Sequence, residues 1–198
     1  MTRTRTCVRA PCLAVLFLAG WPTLAGAHPM PGVADFYVGM LHPVMTIECA
    51  LPLLALGLLA GAQERRTVLG MLPAIALSLV AGAALAVFES APGFLHRGTL
   101  ASMAIAGLLV AAGVKMPVAP AVMLSALVAV PVGWIIGRDV GDQVSALRFI
   151  PGVGLSGFLL ATYSMGCVRS VRVPWMVMGF RVVGSWIAAV GILLSGLR

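Results

Sequence analysis

The chain has 198 residues, of which 61% are hydrophobic and 10% are charged, and its formal net charge is +7. Its mean hydropathy is +1.06. A complement of 13 basic and 6 acidic side chains cannot cover a soluble domain of this size, and so apolar a sequence is not disordered. The basic residues stand singly or in pairs between apolar runs, which argues against nucleic acid as a partner. The composition predicts a protein embedded in a lipid bilayer.

Residues 1–27 have the layout of a secretory signal peptide. Arginines precede a short apolar run, and the small residues Ala25-Gly26-Ala27 follow it. The run is too short to cross ~30 Å of hydrocarbon, which favours cleavage after Ala27; the alternative is an uncleaved first membrane helix. Cleavage would make His28 the first mature residue. Its imidazole and the free amine are suited to chelate Cu, Ni or Co, and the alternative is an ordinary histidine at a chain terminus.

Six apolar stretches follow and predict an all-α fold, in which six transmembrane helices form a single domain over residues 28–198. The stretches cover residues 36–62, 67–88, 99–114, 119–137, 149–168 and 174–197. Most of them approach the ~20 residues that a helix needs to cross a bilayer, while the third is short and its boundary with the fourth is poorly defined. None alternates in the way that the strands of a membrane β-barrel do.

The charges in the loops predict how the chain is oriented. If the mature N-terminus lies outside, the inner loops hold the basic residues Arg65, Arg66, Lys115, Arg169 and Arg172. The outer side then holds Arg97, Arg138, Arg148 and Arg198. Because basic residues concentrate on the cytoplasmic side of a membrane, this distribution favours a multi-pass protein of the bacterial inner membrane with its mature N-terminus outside.

Small residues recur four apart in the last stretch. Gly184 and Ala188 form one such pair, and Gly191 and Ser195 form another. This spacing lets helix backbones approach closely, which drives association within lipid. It predicts close helix packing, and a homo-oligomer remains open.

The first stretch contains the unusual polar residues His42, Glu48 and Cys49. On a straight helix Glu48 lies about twelve residues into the stretch, ~18 Å deep and near the midplane, where a carboxylate normally faces a partner, a cavity or an ion path. Imidazole and thiolate suit a borderline or soft ion, and carboxylate a harder one. Neither Glu48 nor Cys49 is three or four residues from His42, the spacing with which one helix chelates one ion. A metal site therefore needs a kink at Pro43 or Pro52, or ligands from other helices.

Structural interpretations of the same residues compete with a metal site. His42 stands beside a proline near the membrane interface, where a histidine often caps a helix or makes a hydrogen bond. Glu48 can instead form an ion pair with Arg181, a basic residue well inside the last stretch, although Arg181 can also extend back to the inner interface. Cys49 can be a small buried hydrophobic residue.

Short motifs along the mature chain carry a family resemblance. They are the His-Pro start, Phe36-x-x-Gly39-x-x-His42-Pro43, Ala55-Leu56-Gly57-Leu58, Gly157-Phe158-Leu159-Leu160-Ala161-Thr162, and Arg181-x-x-Gly184 followed by Ala188-Ala189-x-Gly191. In this order they resemble the HupE/UreJ family, and the resemblance extends over most of the mature chain. It implies a six-helix membrane protein associated with hydrogenase or urease systems and of the nickel or cobalt permease type.

The chain departs from the family pattern at the expected ligands. Where the family has Asp-His after its His-Pro, this sequence has Glu48 and Cys49, which keep a carboxylate and supply a thiol. At the family's His-Gly-x-Ala-His-Gly-x-Glu stretch both histidines are absent here and the Glu is replaced by Gln143, while Asp139 and Asp142 can supply oxygen ligands. The resemblance thus implies a divergent member. The candidate metal ligands are His28, His42, Glu48, Cys49, Asp139 and Asp142.

Two functions from different classes are consistent with these residues. The first is a secondary permease for nickel or cobalt, which captures the ion at His28 and His42 and holds it within the membrane at Glu48 and Cys49, since a dication needs negative charge to cross hydrocarbon. The second is a non-transporting scaffold or accessory protein that has kept the fold and lost the ion path. No nucleophile and base stand together in the sequence, so we expect neither an enzyme nor a resident cofactor.

Overall fold

The computed structural model describes residues 35–88, 94–140, 144–171 and 173–196. The predicted signal peptide, His28 and Asp142 lie outside the described residues. The described part of the chain forms seven α-helices and no strand. They are α1 (Asp35–Met45), α2 (Ile47–Gly61), α3 (Arg65–Phe88), α4 (Phe94–Ala112), α5 (Val118–Arg138), α6 (Ala146–Ser170) and α7 (Pro174–Gly196). The predicted all-α fold is confirmed.

Each predicted apolar stretch corresponds to one helix or, for the first stretch, to the pair α1 and α2. Among the described helices, α3, α5, α6 and α7 are long and apolar enough to cross a membrane, and the pair α1–α2 is a fifth span if it is counted as one. The apolar part of α4, Gly98–Ala112, is shorter. These helices fit a multi-pass membrane protein, and the number of six crossings stays a prediction.

The first span is broken at Thr46, where α1 and α2 meet at 77°. Thr46 has an extended backbone, with φ −100° and ψ 110°, and is the N-cap of α2. Its N–H donates to the His42 carbonyl at 3.2 Å, and its own carbonyl accepts from the N–H groups of Cys49 and Ala50 at 2.9 and 2.8 Å. One residue therefore ends α1 and begins α2.

Prolines on both sides of this break explain why the span cannot continue as one helix. Pro43 lies in α1 and Pro52 lies in α2. Neither has an N–H to donate to the carbonyl four residues earlier, which weakens the helix on either side of Thr46. The bend that a metal site in this stretch was expected to need is therefore present, at 77°. The straight helix that would put Glu48 ~18 Å deep does not form, because Glu48 lies in the first turn of α2.

Glycines bring the helices into close pairs. Gly57 and Gly61 of α2 face Ala161 and Val168 of α6 so closely that a β-carbon on either glycine would overlap its neighbour, and these two helices run parallel. Glycine contacts of the same kind show that α3 is parallel to α5, through Gly70 with Val122 and Gly137 with Ala83. They show that α4 is antiparallel to α7, through Gly107 with Ala188 and Gly191 with Ala104. These directions are those of a chain that reverses at each connection.

The small residues of α7 pack against another helix of the same chain. Gly184, Ala188 and Gly191 are buried and pack against α4, whereas Ser195 is exposed. The predicted close packing is thus confirmed for the first three positions. The other face of α7 carries large exposed apolar side chains such as Trp186, which is 71% exposed and suited to contact lipid.

Polar contacts gather at two opposite ends of the helices. The Gln63 end comprises the α2–α3 turn at residues 62–64, the α4–α5 linker at 113–117, and the last turn of α6. The Asp139 end comprises the start of α1, the last turn of α5 and the start of α6, where the Ser145 N–H donates to the Asp35 carboxylate at 3.2 Å. The loops predicted to face the inside therefore meet at the Gln63 end.

Candidate functional site

A buried histidine stands just before the break in the first span. His42 occupies the last turn of α1, and its side chain is 3% exposed. Its Nε2 has no hydrogen-bond partner and lies 3.4 Å from Oδ2 of Asp139. The ring packs edge-on against Phe149 of α6, with ring centroids 6.0 Å apart. A buried polar atom left without a hydrogen bond costs ~1–3 kcal/mol, so this nitrogen is available to bind a ligand.

Asp139 connects the buried imidazole with the outside of the bundle. It is the C-cap of α5, and its N–H donates to the Ile136 carbonyl at 3.2 Å. Its side chain is 52% exposed. A carboxylate at this position adds to the negative end of the helix dipole, which is unfavourable unless a positive charge lies nearby. A cation bound beside His42 and Asp139 would offset this unfavourable charge.

Arg138 precedes Asp139 in the sequence but is held by a different group. Its guanidinium carbon lies 5.1 Å from the centroid of the Trp134 ring. Trp134 is itself buried in α5, and the face of an indole attracts a cation. The charge of Arg138 is therefore drawn onto the ring, while the carboxylate of Asp139 lies beside His42.

Glu48 and Cys49 lie directly after the break, in the first turn of α2. An acidic residue is favoured there because the N-terminus of a helix is the positive end of its dipole. Cys49 is fully buried. The break thus places a carboxylate and a buried thiol at the beginning of α2, directly after the end of α1.

The arrangement falls short of a complete metal centre. Within the described ranges, no group of three or more His, Cys, Asp or Glu side chains is placed to hold one metal ion. The described geometry is therefore one pair, His42 with Asp139, and the two residues Glu48 and Cys49 that follow the break in the first turn of α2. Whether these residues bind metal stays a prediction, as it does for His28 and Asp142, which lie outside the described residues.

Arg181 makes its described contact at the Gln63 end. Its Nη2 donates to the Ala112 carbonyl at 2.6 Å, where α4 ends and Gly113 takes a positive φ of 66°. The arginine thereby satisfies one of the carbonyls that a helix leaves free at its C-terminus. Glu48 lies in the first turn of α2, about 20 Å along the helix from Gly61 at the Gln63 end. The ion pair of Glu48 with Arg181 stays a prediction.

The sequence patterns did not predict two polar features of the structure, one in the site and one at the Gln63 end. Asp139 was considered only through its place in a family motif, and nothing along the chain indicated that it would meet His42. Gln63, which is 5% exposed and fully bonded at the other end, was not considered at all. A lone glutamine between two apolar stretches is a usable signal, because a buried amide in a membrane protein needs partners.

Comparison with known proteins identifies the family. The family described as HupE / UreJ protein matches residues 15–194, which is most of the chain. No curated protein and no solved structure matches. The family match agrees with the several apolar helices of the fold and confirms the resemblance found in the motifs. The chain belongs to the HupE/UreJ family of multi-pass membrane proteins, which are of the accessory and metal-transport type.

Proposed function

We propose that this protein is a permease for a divalent transition-metal ion, nickel or cobalt, and that the ion passes through the break between α1 and α2. The protein would lie in the bacterial inner membrane with its mature N-terminus outside. The observation that carries the proposal is the buried His42 imidazole, whose Nε2 is without a hydrogen bond and 3.4 Å from the Asp139 carboxylate. Imidazole is a preferred ligand of nickel and cobalt, and a carboxylate beside it offsets their charge.

The broken span supports transport because interrupted helices form ion sites in many transporters. A break frees backbone carbonyls and directs helix ends at the ion, and the protein around it shields the irregular backbone from lipid. Here α1 ends at Met45 and α2 begins at Ile47, with a bend of 77°. The carbonyl groups at the C-terminal end of α1 carry partial negative charge, which favours a cation at this point.

Each polar residue of the site takes a role in the proposal. Asp139, which is half exposed, attracts the ion from the Asp139 end, and His42 is its first buried ligand. Glu48 and Cys49 then supply a carboxylate and a sulfur as the ion moves past the break, and the carboxylate lowers the cost of holding a dication in the membrane. His28 and Asp142 would assist capture. Because these groups bind and release an ion, the proposal involves no catalysis.

Uptake of radioactive nickel and cobalt into cells tests this function. Cells with the protein should accumulate one of these metals faster than cells without it, and His42→Gln and Asp139→Asn should each reduce uptake to the background. Asp35→Asn is the matched control, because Asp35 is also an acidic residue at the Asp139 end but binds only the Ser145 backbone in the described contacts. Uptake that is equal in the wild type and the His42 and Asp139 variants would refute the proposal.

One observation favours the second candidate, a non-transporting accessory protein. The described residues hold no group of three metal-ligating side chains, and a permease that dehydrates a transition-metal ion needs several ligands at once. If cells expressing the wild type show no metal-dependent uptake, while the protein is inserted and folded, the accessory function replaces the permease.

A further inference from the structure

Gln63 lies in the turn between α2 and α3 and is 5% exposed. Its Nε2 donates to the carbonyl groups of Leu59 at 3.2 Å and of Val114 at 2.8 Å. Its Oε1 accepts from the Met116 N–H at 2.8 Å. Both donor hydrogens of the amide and its oxygen are therefore used. Through these bonds the turn after α2 is joined to the linker between α4 and α5.

Two more side chains strengthen the same junction. Arg169, in the last turn of α6, donates from Nη2 to the backbone carbonyl of Gln63 at 2.8 Å. The hydroxyl of Thr67, in α3, lies 3.5 Å from the Met116 carbonyl. We call the set Gln63, Val114, Met116 and Arg169 the Gln63 junction. It ties together the three chain segments that form the Gln63 end.

The junction differs in kind from the contacts between the helices. Helix pairs such as α2 with α6 meet through glycines and apolar side chains, and separating them would expose apolar surface. Hydrogen bonds between an amide and backbone groups can instead be exchanged for bonds to water with a small net change in free energy. A polar junction at the end of a helix bundle can therefore open and close reversibly, and its closed and open states are close in free energy.

The position of the junction complements that of the ion site. The His42–Asp139 pair lies at the opposite end, where half of the Asp139 side chain is exposed. Alternating access requires that a transporter be closed on one side of its ion site while it is open on the other. The Gln63 end is held shut by buried hydrogen bonds in the same structure.

We propose that the Gln63 junction is the gate that closes the Gln63 end of the ion path while the Asp139 end is open. This inference rests on the proposed transport function. Opening breaks the bonds from Gln63 to Val114 and Met116, separates the α4–α5 linker from the α2–α3 turn, and lets water reach the buried side of α2. Gln63 touches no ion in this scheme, so it is a gating residue.

Labelling of Cys49 from each side of the membrane tests the gate. Cys7, Cys12 and Cys167 are replaced by serine, which leaves Cys49 as the one thiol of the chain. Its reaction with a membrane-impermeant maleimide is then followed in right-side-out and inside-out vesicles. A separate Lys115→Cys variant, whose position is exposed in the α4–α5 linker, identifies which vesicles present the Gln63 end.

Gln63→Leu keeps the volume of the side chain and removes its three hydrogen bonds. We expect Cys49 to react about tenfold faster from the Gln63 end and more slowly from the Asp139 end. The reason is that the equilibrium between the closed and the open state of the Gln63 end shifts towards the open state by the strength of one to two hydrogen bonds. Thr67→Val is the matched control, because Thr67 is a buried neighbour whose one described bond is long. It should label as the wild type does.

If Cys49 reacts at the wild-type rate in a folded Gln63→Leu protein, the proposal that the Gln63 junction is a gate is wrong. If Gln63→Leu does not fold, Arg169→Gln is used instead, since it removes the bond that holds the Gln63 backbone and leaves the side-chain amide in place. Labelling that stays at the wild-type rate in Arg169→Gln would overturn the gate equally. The assay needs no metal, so a failed gate is distinguishable from a failed permease, which appears as absent metal uptake by the wild type.

Discussion

The Gln63 end and the Asp139 end each bury a polar side chain at the edge of the same helix bundle, but they treat it differently. At the Gln63 end every polar group of the Gln63 amide is bonded to the protein. At the Asp139 end Nε2 of His42 is buried without a hydrogen bond, beside a carboxylate that is half exposed. A fully bonded polar group contributes to stability, whereas an unsatisfied one costs stability and is retained for a function. The comparison therefore separates a side chain that holds helices and loops together from one whose nitrogen is left open to a ligand.

The largest difference between the ends should appear in stability. Gln63→Leu should lower the free energy of unfolding by about 2–4 kcal/mol, because it leaves the Val114 carbonyl and the Met116 N–H buried without partners. His42→Leu should change it by less than ~1 kcal/mol or increase it, because it removes a group that is already unsatisfied. Reversible unfolding of the purified variants in detergent measures both values. If His42→Leu lowered the free energy of unfolding as much as Gln63→Leu does, the distinction between the two ends would be wrong.

A smaller loss is expected at the edge of the Gln63 junction. Arg169→Gln should destabilise the protein by about 1–2 kcal/mol, since the guanidinium donates a charge-assisted bond of 2.8 Å to the Gln63 carbonyl in a partly buried position. Arg181→Gln is a useful companion, because its bond to the Ala112 carbonyl is exposed and its loss should cost less. The same unfolding assay ranks the two. The reverse order would show that burial is not what strengthens the Gln63 end.

The smallest expected effect is a gain of stability, whereas the preceding substitutions in the Gln63 junction are expected to reduce it. Asp139→Asn should stabilise the metal-free protein by about 0.5 kcal/mol, because it removes a negative charge from the C-terminal end of α5. Asp35→Asn should have the opposite effect, since Asp35 lies in the first turn of α1, where negative charge is favoured, and accepts a hydrogen bond from Ser145. Thermal unfolding at low salt, where such charge effects are largest, compares the two. A loss of stability in Asp139→Asn would mean that its carboxylate has a structural role.

Much of this fold could be predicted from the sequence. Apolar stretches of about the length of a bilayer determine where helices form, and each of the six became a helix or a bent pair. Pro43 and Pro52 indicated the kink in the first span, because the loss of a backbone donor is a local property. The small residues Gly184, Ala188 and Gly191 indicated a close helix contact for the same reason, although not that α4 would be the partner.

The site could be predicted only in part. His42, Glu48 and Cys49 drew attention because polar residues in an apolar stretch are costly, and this can be read at each position separately. The meeting of His42 with Asp139 depends on how α1 and α5 lie relative to α6, which no local pattern encodes. The bonds of Gln63 to Val114 and Met116 depend likewise on which loops share an end of the bundle. Local chemistry was therefore predictable and long-range pairing was not.

The most direct test of this account is the affinity of the purified, metal-free protein for nickel and cobalt, measured by titration calorimetry for the wild type and for His42→Gln, Asp139→Asn and Asp35→Asn. The account predicts that the wild type and Asp35→Asn bind one of these ions with the same affinity and that the other two variants lose this binding. Binding that survives in both His42→Gln and Asp139→Asn would contradict the claim that the unsatisfied imidazole and its neighbouring carboxylate form the ion site.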